Sequence, residues 1–366
     1  MHFDKRLARA CAIPAVISIA ALAFGAVVGV ATSPATNDIH VAYAQEATPL
    51  ERFLRIDREV PPPPVEAPPV SAQAASAAPV KPLHPEAAPE QAGAPAEPTE
   101  APPSPTPAPP PSLFERNTLV AFYGTPLASG LGVLGLFPPE ELAERLKAQA
   151  AVYNDLNGDK GVVPALDLIY AVVQDQPTAN GLFLAYLPDD RVNEYIALAE
   201  RHDLQIILDL QIGRSRVVDE VRKIERFLTH PRVHVAIDPE YAVGPNGFPI
   251  ATPGVISGHD INEAQGYLNE LVAQHNLPPK MLVIHQFMDH TIIEGEATQQ
   301  LPHVDLVLNM DAFGAKPEKE KKYRHFASRP YAEKRSFNVF LKQDEPISSE
   351  QEVLQLEPMP DMVIYQ

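Results

Sequence analysis

From residue 119 onward, short runs of Val, Ile and Leu alternate with segments whose apolar residues recur every three or four positions. The first pattern suits a strand buried on both faces, and the second suits a helix that buries one stripe. The runs predict eight strands, over 119–124, 162–167, 205–211, 233–237, 280–286, 304–309, 337–341 and 362–365. Between them, 139–154 predicts a helix opened by Pro139, with Leu142, Leu146, Ala150 and Tyr153 on one face. The same spacing recurs over 189–202 (Val192, Tyr195, Ile196, Ala199) and 216–228 (Val217, Val221, Ile224, Leu228). Over 260–275, Asp260 and Glu263 stand at capping-box spacing ahead of Leu268, Leu271 and Val272. Fainter helical periodicity falls near 291–300, 317–328 and 348–356.

Eight strand–helix units over 113–366 predict a (β/α)8 TIM barrel, an α/β architecture that closes its sheet and leaves no open edge; an open doubly wound sheet is the alternative. The run Gly130-Leu131-Gly132-Val133-Leu134-Gly135 spells the glycine pattern of dinucleotide-binding folds. In those folds the glycines open the helix and an acid follows about twenty residues on. Here Pro138-Pro139 intervenes and Asp167 lies too far along, so the run is read as a flexible active-site loop.

Composition explains the remaining third of the chain. Of 366 residues 41 are Pro, and runs such as 61–64 and 107–111 concentrate them in a Pro/Ala/Glu-rich stretch over 45–112. Such a stretch lacks apolar side chains and backbone donors, which predicts a disordered linker, largely polyproline II, acting as a spacer. Before it, Lys5, Arg6 and Arg9 precede an apolar run over 12–31, the order of a secretory signal. Residues 1–44 are therefore read as an export segment. Cleavage after Ala42-Tyr43-Ala44 and retention of 12–31 as a membrane anchor both remain open, and either places the domain outside the cell. The one Cys, Cys11, precedes the apolar run, so the exported domain has no thiol nucleophile, disulfide or zinc–thiolate site.

The formal net charge is −18, from 29 Lys and Arg against 47 Asp and Glu. Residues 1–112 hold 7 of the basic and 11 of the acidic side chains, which leaves −14 on 113–366. That surface repels phosphate, which argues against nucleic acid as a partner and confines membrane contact to the N-terminal segment.

The chemistry of such a barrel belongs at the C-terminal ends of its strands. The polar residues there are Tyr123, Asp167, Asp209 with Gln211, Asp238 with Glu240, His285 with Gln286, Asn309 with Asp311, Lys342 with Asp344, and Tyr365. Strand alternation turns Asp238 and Glu240 to one side together, away from Val235 and Ile237. Carboxyls converging on one mouth raise at least one pKa, as a general acid requires. Which of His285 and Gln286 faces inward stays open. Lone readings of Asp167 and Asp209 as loop acids and of His285 as a core histidine stand beside the functional one.

The run Ala236-Ile237-Asp238-Pro239-Glu240-Tyr241 resembles the strand-four signature of chitinase-type, family eighteen glycoside hydrolases, and Asn309-Met310-Asp311-Ala312-Phe313 is loosely similar to their strand-six motif. Phe122-Tyr123-Gly124, Leu208-Asp209-Leu210-Gln211, His285-Gln286-Phe287 and Tyr365-Gln366 resemble a group of uncharacterised secreted bacterial barrel proteins. Val233 and Ala236 stand where the chitinase motif has its two earlier aspartates. The resemblance therefore implies Glu240 as acid and Asp238 as its orienting partner, and no more. The expectation is an extracellular glycoside hydrolase-like protein acting on a carbohydrate, with Asp209, Asp311 or Asp344 as nucleophile or base. Tyr123, Asp167, Gln211, Tyr241, His285, Gln286, Asn309, Lys342 and Tyr365 are expected to bind substrate. With no Trp, sugar stacking would fall to Tyr123, Tyr241, Phe248, Phe287 or Phe313. This reading calls for no cofactor and no metal. The alternatives are a barrel that binds glycan or protein without catalysis, and a hydrolase with Asp209, Asp238, Glu240, His285 and Asp311 around Mg²⁺ or Ca²⁺.

Overall fold

The computed structural model describes residues 111–251 and 254–366. The export segment and nearly all of the proline-rich linker lie outside the described residues. Eight parallel strands close into a barrel: β1 (Asn117–Gly124), β2 (Gly161–Val173), β3 (Gln205–Gly213), β4 (Val233–Ala242), β5 (Lys280–Gln286), β6 (Val304–Met310), β7 (Lys334–Val339) and β8 (Met362–Tyr365). Each pairs with the next and β8 pairs with β1, so the ring runs in sequence order. The TIM-barrel expectation holds.

The helices are α1 (Pro139–Leu156), α2 (Asp189–His202), α3 (Val217–Lys223), α4 (Glu225–Leu228), α5 (Gly258–His275), α6 (Lys316–Ala327) and α7 (Glu350–Leu354). Pro139 presets the first turn of α1, where Glu140 and Glu141 meet the positive end of the helix dipole. Three expectations change. The 216–228 segment breaks at Ile224 into α3 and α4. The capping box of α5 lies one turn earlier, with Ser257 Oγ accepting from the Asp260 amide at 3.2 Å and Asp260 Oδ2 from the Ser257 amide at 2.8 Å. No α-helix follows β5. Ile292–Ile293 there pairs as a short parallel strand with Ile256–Ser257, and Glu294 takes a left-handed conformation that interrupts helical winding.

The glycine run after β1 is a close-packed turn rather than a flexible loop. Val133 and Leu134 are buried, and Gly132 bridges Gly124 with φ of 97° and 139° respectively. A Cβ on Gly132 would sit 2.4 Å from the Tyr123 carbonyl oxygen, so the backbone approach itself requires glycine.

The chain enters at the floor of the barrel. Ser112 donates to Asp305 at 2.8 Å, and Phe114 packs with Leu119, Met281 and Met362 beneath an interior of Ala121, Ala165, Ile207, Ala236, Val283, Val307 and Ile364. A second apolar layer fills the space between the strands and the helices. Tyr365 belongs to that outer layer. Its hydroxyl shares a 2.8 Å hydrogen bond with Tyr153 and accepts from Gln149 at 3.0 Å, far from the lumen. Alternation on a four-residue strand puts Ile364 inward and Tyr365 outward, which removes Tyr365 from the substrate-binding set. Tyr365→Phe is expected to cost about 1–3 kcal/mol in urea unfolding, because buried polar groups lose their partner, while leaving turnover unchanged. Lost turnover at unchanged stability would return Tyr365 to the site.

Candidate active site

The upper half of the lumen is polar. Tyr123 on β1, Asp167 on β2, Asp209 on β3, Asp238 and Glu240 on β4, His285 on β5, Asn309 on β6 and Asn338 on β7 alternate with outward apolar residues of the same strands. Asp238-Pro239 is no turn, because β4 runs through it; its register with β3 slips between Asp238 and Ala242, and Glu240 there feels the charges of Asp311 and His285 and raises Asp238 in turn. Glu240 is half-buried at the mouth.

Asp167 and Asp209 lie deeper than strand ends. β2 runs on beyond Asp167, with Leu168, Ile169 and Ala171 pairing with β3 and residues 171–173 pairing antiparallel with Leu184–Tyr186, so Asp167 falls mid-strand. Both aspartates are fully buried, and neither carboxyl oxygen of Asp167 has a hydrogen-bond partner. They therefore serve neither as substrate ligand nor as nucleophile without movement of the wall. Gln211 is committed too: its Oε1 accepts from the Val173 amide at 2.7 Å and holds the β2 extension.

His285, not Gln286, faces inward. Gln286 points to the helix layer, where its Oε1 accepts from the Tyr331 hydroxyl at 3.4 Å, so it is not at the site. His285 Nδ1 lies 3.2 Å from Asp311 Oδ2 and 3.1 Å from the Asn309 amide. Burial alone would lower its pKa, but the hydrogen bond to Asp311 and the fields of Asp209, Asp311 and Asp167 reverse this and hold it well above the usual histidine range. As imidazolium, Nδ1–H donates to Asp311, and Asn309 Nδ2, 3.1 Å from the same nitrogen, then has no acceptor there. Nε2 has no hydrogen-bond partner.

Asp311 is the second partly exposed acid. Its side chain is 17% accessible, and Asn338 Nδ2 donates to Oδ1 at 2.7 Å. Asp344, by contrast, is spent on structure. It pairs with Lys319 of α6 and accepts from the Phe340 amide at 2.9 Å and the Gly314 amide at 3.1 Å, so it holds two loops together and leaves the set of bases. Lys342 is exposed on the same loop.

Burial pushes Glu240 up to about 7; the Asp311 carboxylate adds to the rise, while Tyr241, His285 and Lys322 oppose it. Burial likewise raises Asp238, with Glu240 and Asp209 adding to it. Tyr241 is half-buried beside Glu240, and burial with the charges of Asp238 and Glu240 raises its hydroxyl. Asn338 and Lys322 are site residues that the sequence reading missed. Ser336 and Asn338 alternate at period two, which was the available signal for Asn338. Lys322 reaches the site from α6 over the Phe287 ring, 4.7 Å from its centroid, a contact that no local pattern encodes. Among the described residues, no three His, Asp or Glu are arranged to hold a metal ion.

No family model matches this sequence, and no curated protein does. Among solved structures the chain is similar to a hyperthermophilic endo-beta-1,4-glucanase in complex with substrate, with 8% identity and a TM-score of 0.36, over 69% of this chain and 91% of that one. It is also similar to a sugar phosphate isomerase/epimerase from Parabacteroides distasonis, with 12% identity and a TM-score of 0.25, over 60% of this chain and 74% of that one. Likeness at this level bears on neither activity nor substrate.

The unpartnered Asp167 sets a pH dependence. Asp167 has its folded pKa raised by burial, then by Asp209 and Asp311, so the fold binds a proton that the unfolded chain releases above about 4. Its contribution to stability is present in acid and is lost as pH rises from there through the raised value. Asp167→Asn is expected to raise the melting temperature at pH 7–8 and to change it little at pH 4. Equal shifts at both pH values would contradict the assignment.

Proposed function

We propose that the barrel is a glycoside hydrolase-like enzyme in which Glu240 is the proton donor and Asp311 its carboxylate partner. One observation carries this reading: a carboxyl at an open barrel mouth, raised to about 7, with a second partly exposed carboxyl beside it. A donor acid must hold its proton near neutral pH and reach the substrate, and Glu240 meets both needs. Of the three candidate partners, Asp209 is fully buried and Asp344 is tied to Lys319, which leaves Asp311. Glu240 passes its proton to the glycosidic oxygen as the bond to the anomeric carbon breaks. Asp311 then attacks that carbon, or takes a proton from the water that does. Asp238, two residues below Glu240, orients it and shares its charge, in line with the strand-four resemblance to family eighteen hydrolases. Asn338 and His285 aim Asp311. Placement outside the cell, as an exported or tethered domain, rests on residues 12–31 and belongs to the same proposal.

Full-length protein is expected to release reducing ends from a neutral glycan, and Glu240→Gln to lower kcat by at least about a hundredfold with little change in melting temperature. Because the acid form is the active one, kcat/KM is expected to fall as pH rises through about 7. Glycan binding without turnover, unchanged in Glu240→Gln, would instead establish a binding barrel.

A further inference from the structure

Two large aromatic rings stand out on the mouth rim because, among the described residues, the other aromatic side chains are buried or half-buried. Phe248, in the loop after β4, is 61% exposed, and Phe313, just after β6, is 49% exposed. Neither is a stray surface residue. The Arg214 guanidinium lies 4.7 Å from the Phe248 ring centroid and 4.3 Å from that of Phe183, and Phe183 meets Phe248 edge-on at 6.0 Å. Arg214 is anchored in turn, with Nε donating to the Gly247 carbonyl at 2.6 Å. On the other rim Phe340 meets Phe313 edge-on at 5.5 Å. Each exposed ring thus has a fixed orientation and solvent on its remaining surface.

Their positions around the ring follow from what they touch. Phe183 belongs to the loop after β2 and Arg214 to the end of β3, so Phe248 leans over the β2–β3 sector. Phe340 follows β7 and Phe313 follows β6, so the second ring stands over the β6–β7 sector. With eight strands in sequence order, these sectors are four strands apart, half the circumference. The line between the two rings crosses the mouth that Glu240 and Asp311 line.

We infer that Phe248 and Phe313 are stacking plates at the two ends of a groove, and that the ligand is a linear, neutral polysaccharide laid across the mouth and held at both ends with its middle over Glu240. Sugar rings present C–H faces that stack on aromatic rings, and plates on both sides of the acids suit internal sites of a chain rather than its end. The charge of the domain, −14 over residues 113–366, disfavours a polyanionic glycan. The inference deepens the hydrolase reading and rests on it for the role of Glu240, while the plates themselves are read from geometry alone.

The test uses full-length protein carrying Glu240→Gln, so that chains are bound and not cut, on an array of linear glucose, mannose and N-acetylglucosamine oligosaccharides from two to eight sugars. Affinity is expected to rise with length in at least one series. Phe248→Ala and Phe313→Ala are each expected to lower affinity for the longest chains by roughly tenfold, with a smaller effect on the shortest, while Phe→Tyr at either position retains binding. Affinity independent of length or of both rings would overturn the inference, as would no binding to any chain. So would a change of oligomeric state on sedimentation in the Ala variants without a change in binding, which would mark the rings as a contact between copies. Length-dependent binding in a protein whose Glu240 form cuts nothing would sink the hydrolase reading and leave the plates standing. Cleavage of two- and eight-sugar chains alike, unaffected by the Ala variants, would do the reverse.

Discussion

The ion pair between His285 and Asp311, set among three further buried carboxyls, is the interaction on which the upper half of the barrel depends. Burial penalises an imidazolium, and here the penalty is overcome by the hydrogen bond to Asp311 and by the fields of Asp209 and Asp167. The same burial raises the pKa of Asp167, Asp209 and Asp238, and the His285 cation opposes that rise at each of them. Charge in the lumen is therefore limited by a single cationic ring. Glu240, above the cluster, inherits part of that repulsion and part of the burial, and Lys322 from α6 restrains the rise. A second interior histidine shows what the same strands do without acids. His234, near the floor, faces Gln205 at 3.2 Å and accepts from the Met281 amide at 3.0 Å, and burial holds it neutral.

The two ends of the barrel are built for different purposes. Phe114 and the Ser112–Asp305 contact close the floor at the point where the chain arrives from residue 111. Half-buried acids and two exposed aromatic rings line the opposite face. A tether attached at the floor would leave that face unobstructed.

Much of this was legible in the sequence. The strands over 280–286 and 362–365 match the structure residue for residue, since continuous apolar runs bounded by polar residues describe a buried parallel strand well. Alternation put Asp238 and Glu240 on one side, and Glu240 does raise Asp238. What was not legible came from contacts that local pattern does not carry. Asp167 reads as the end of its strand, yet β2 runs on to Val173 because β3 pairs with Leu168, Ile169 and Ala171, and Leu184–Tyr186 pairs with residues 171–173. β7 spans Lys334–Val339 rather than 337–341, so Ser336 lies outside the expected strand, and the expected end falls past Asn338, near Asp344. The role of Asp344 is set by Lys319, 25 residues earlier on α6. Tyr365 looked like a rim residue because β8 is short, and its partners Tyr153 and Gln149 lie in a helix more than 200 residues away.

The account turns on one carboxyl, Glu240, holding its proton near neutrality because of burial and its neighbouring acid. Carboxyl carbon chemical shifts followed against pH in full-length protein, with Glu240→Gln used to assign the signal, measure this directly. The account predicts a titration centred near 7 that moves to lower pH in Asp311→Asn. A Glu240 titration in the ordinary range, near 4.3, and unmoved by Asp311→Asn would contradict it.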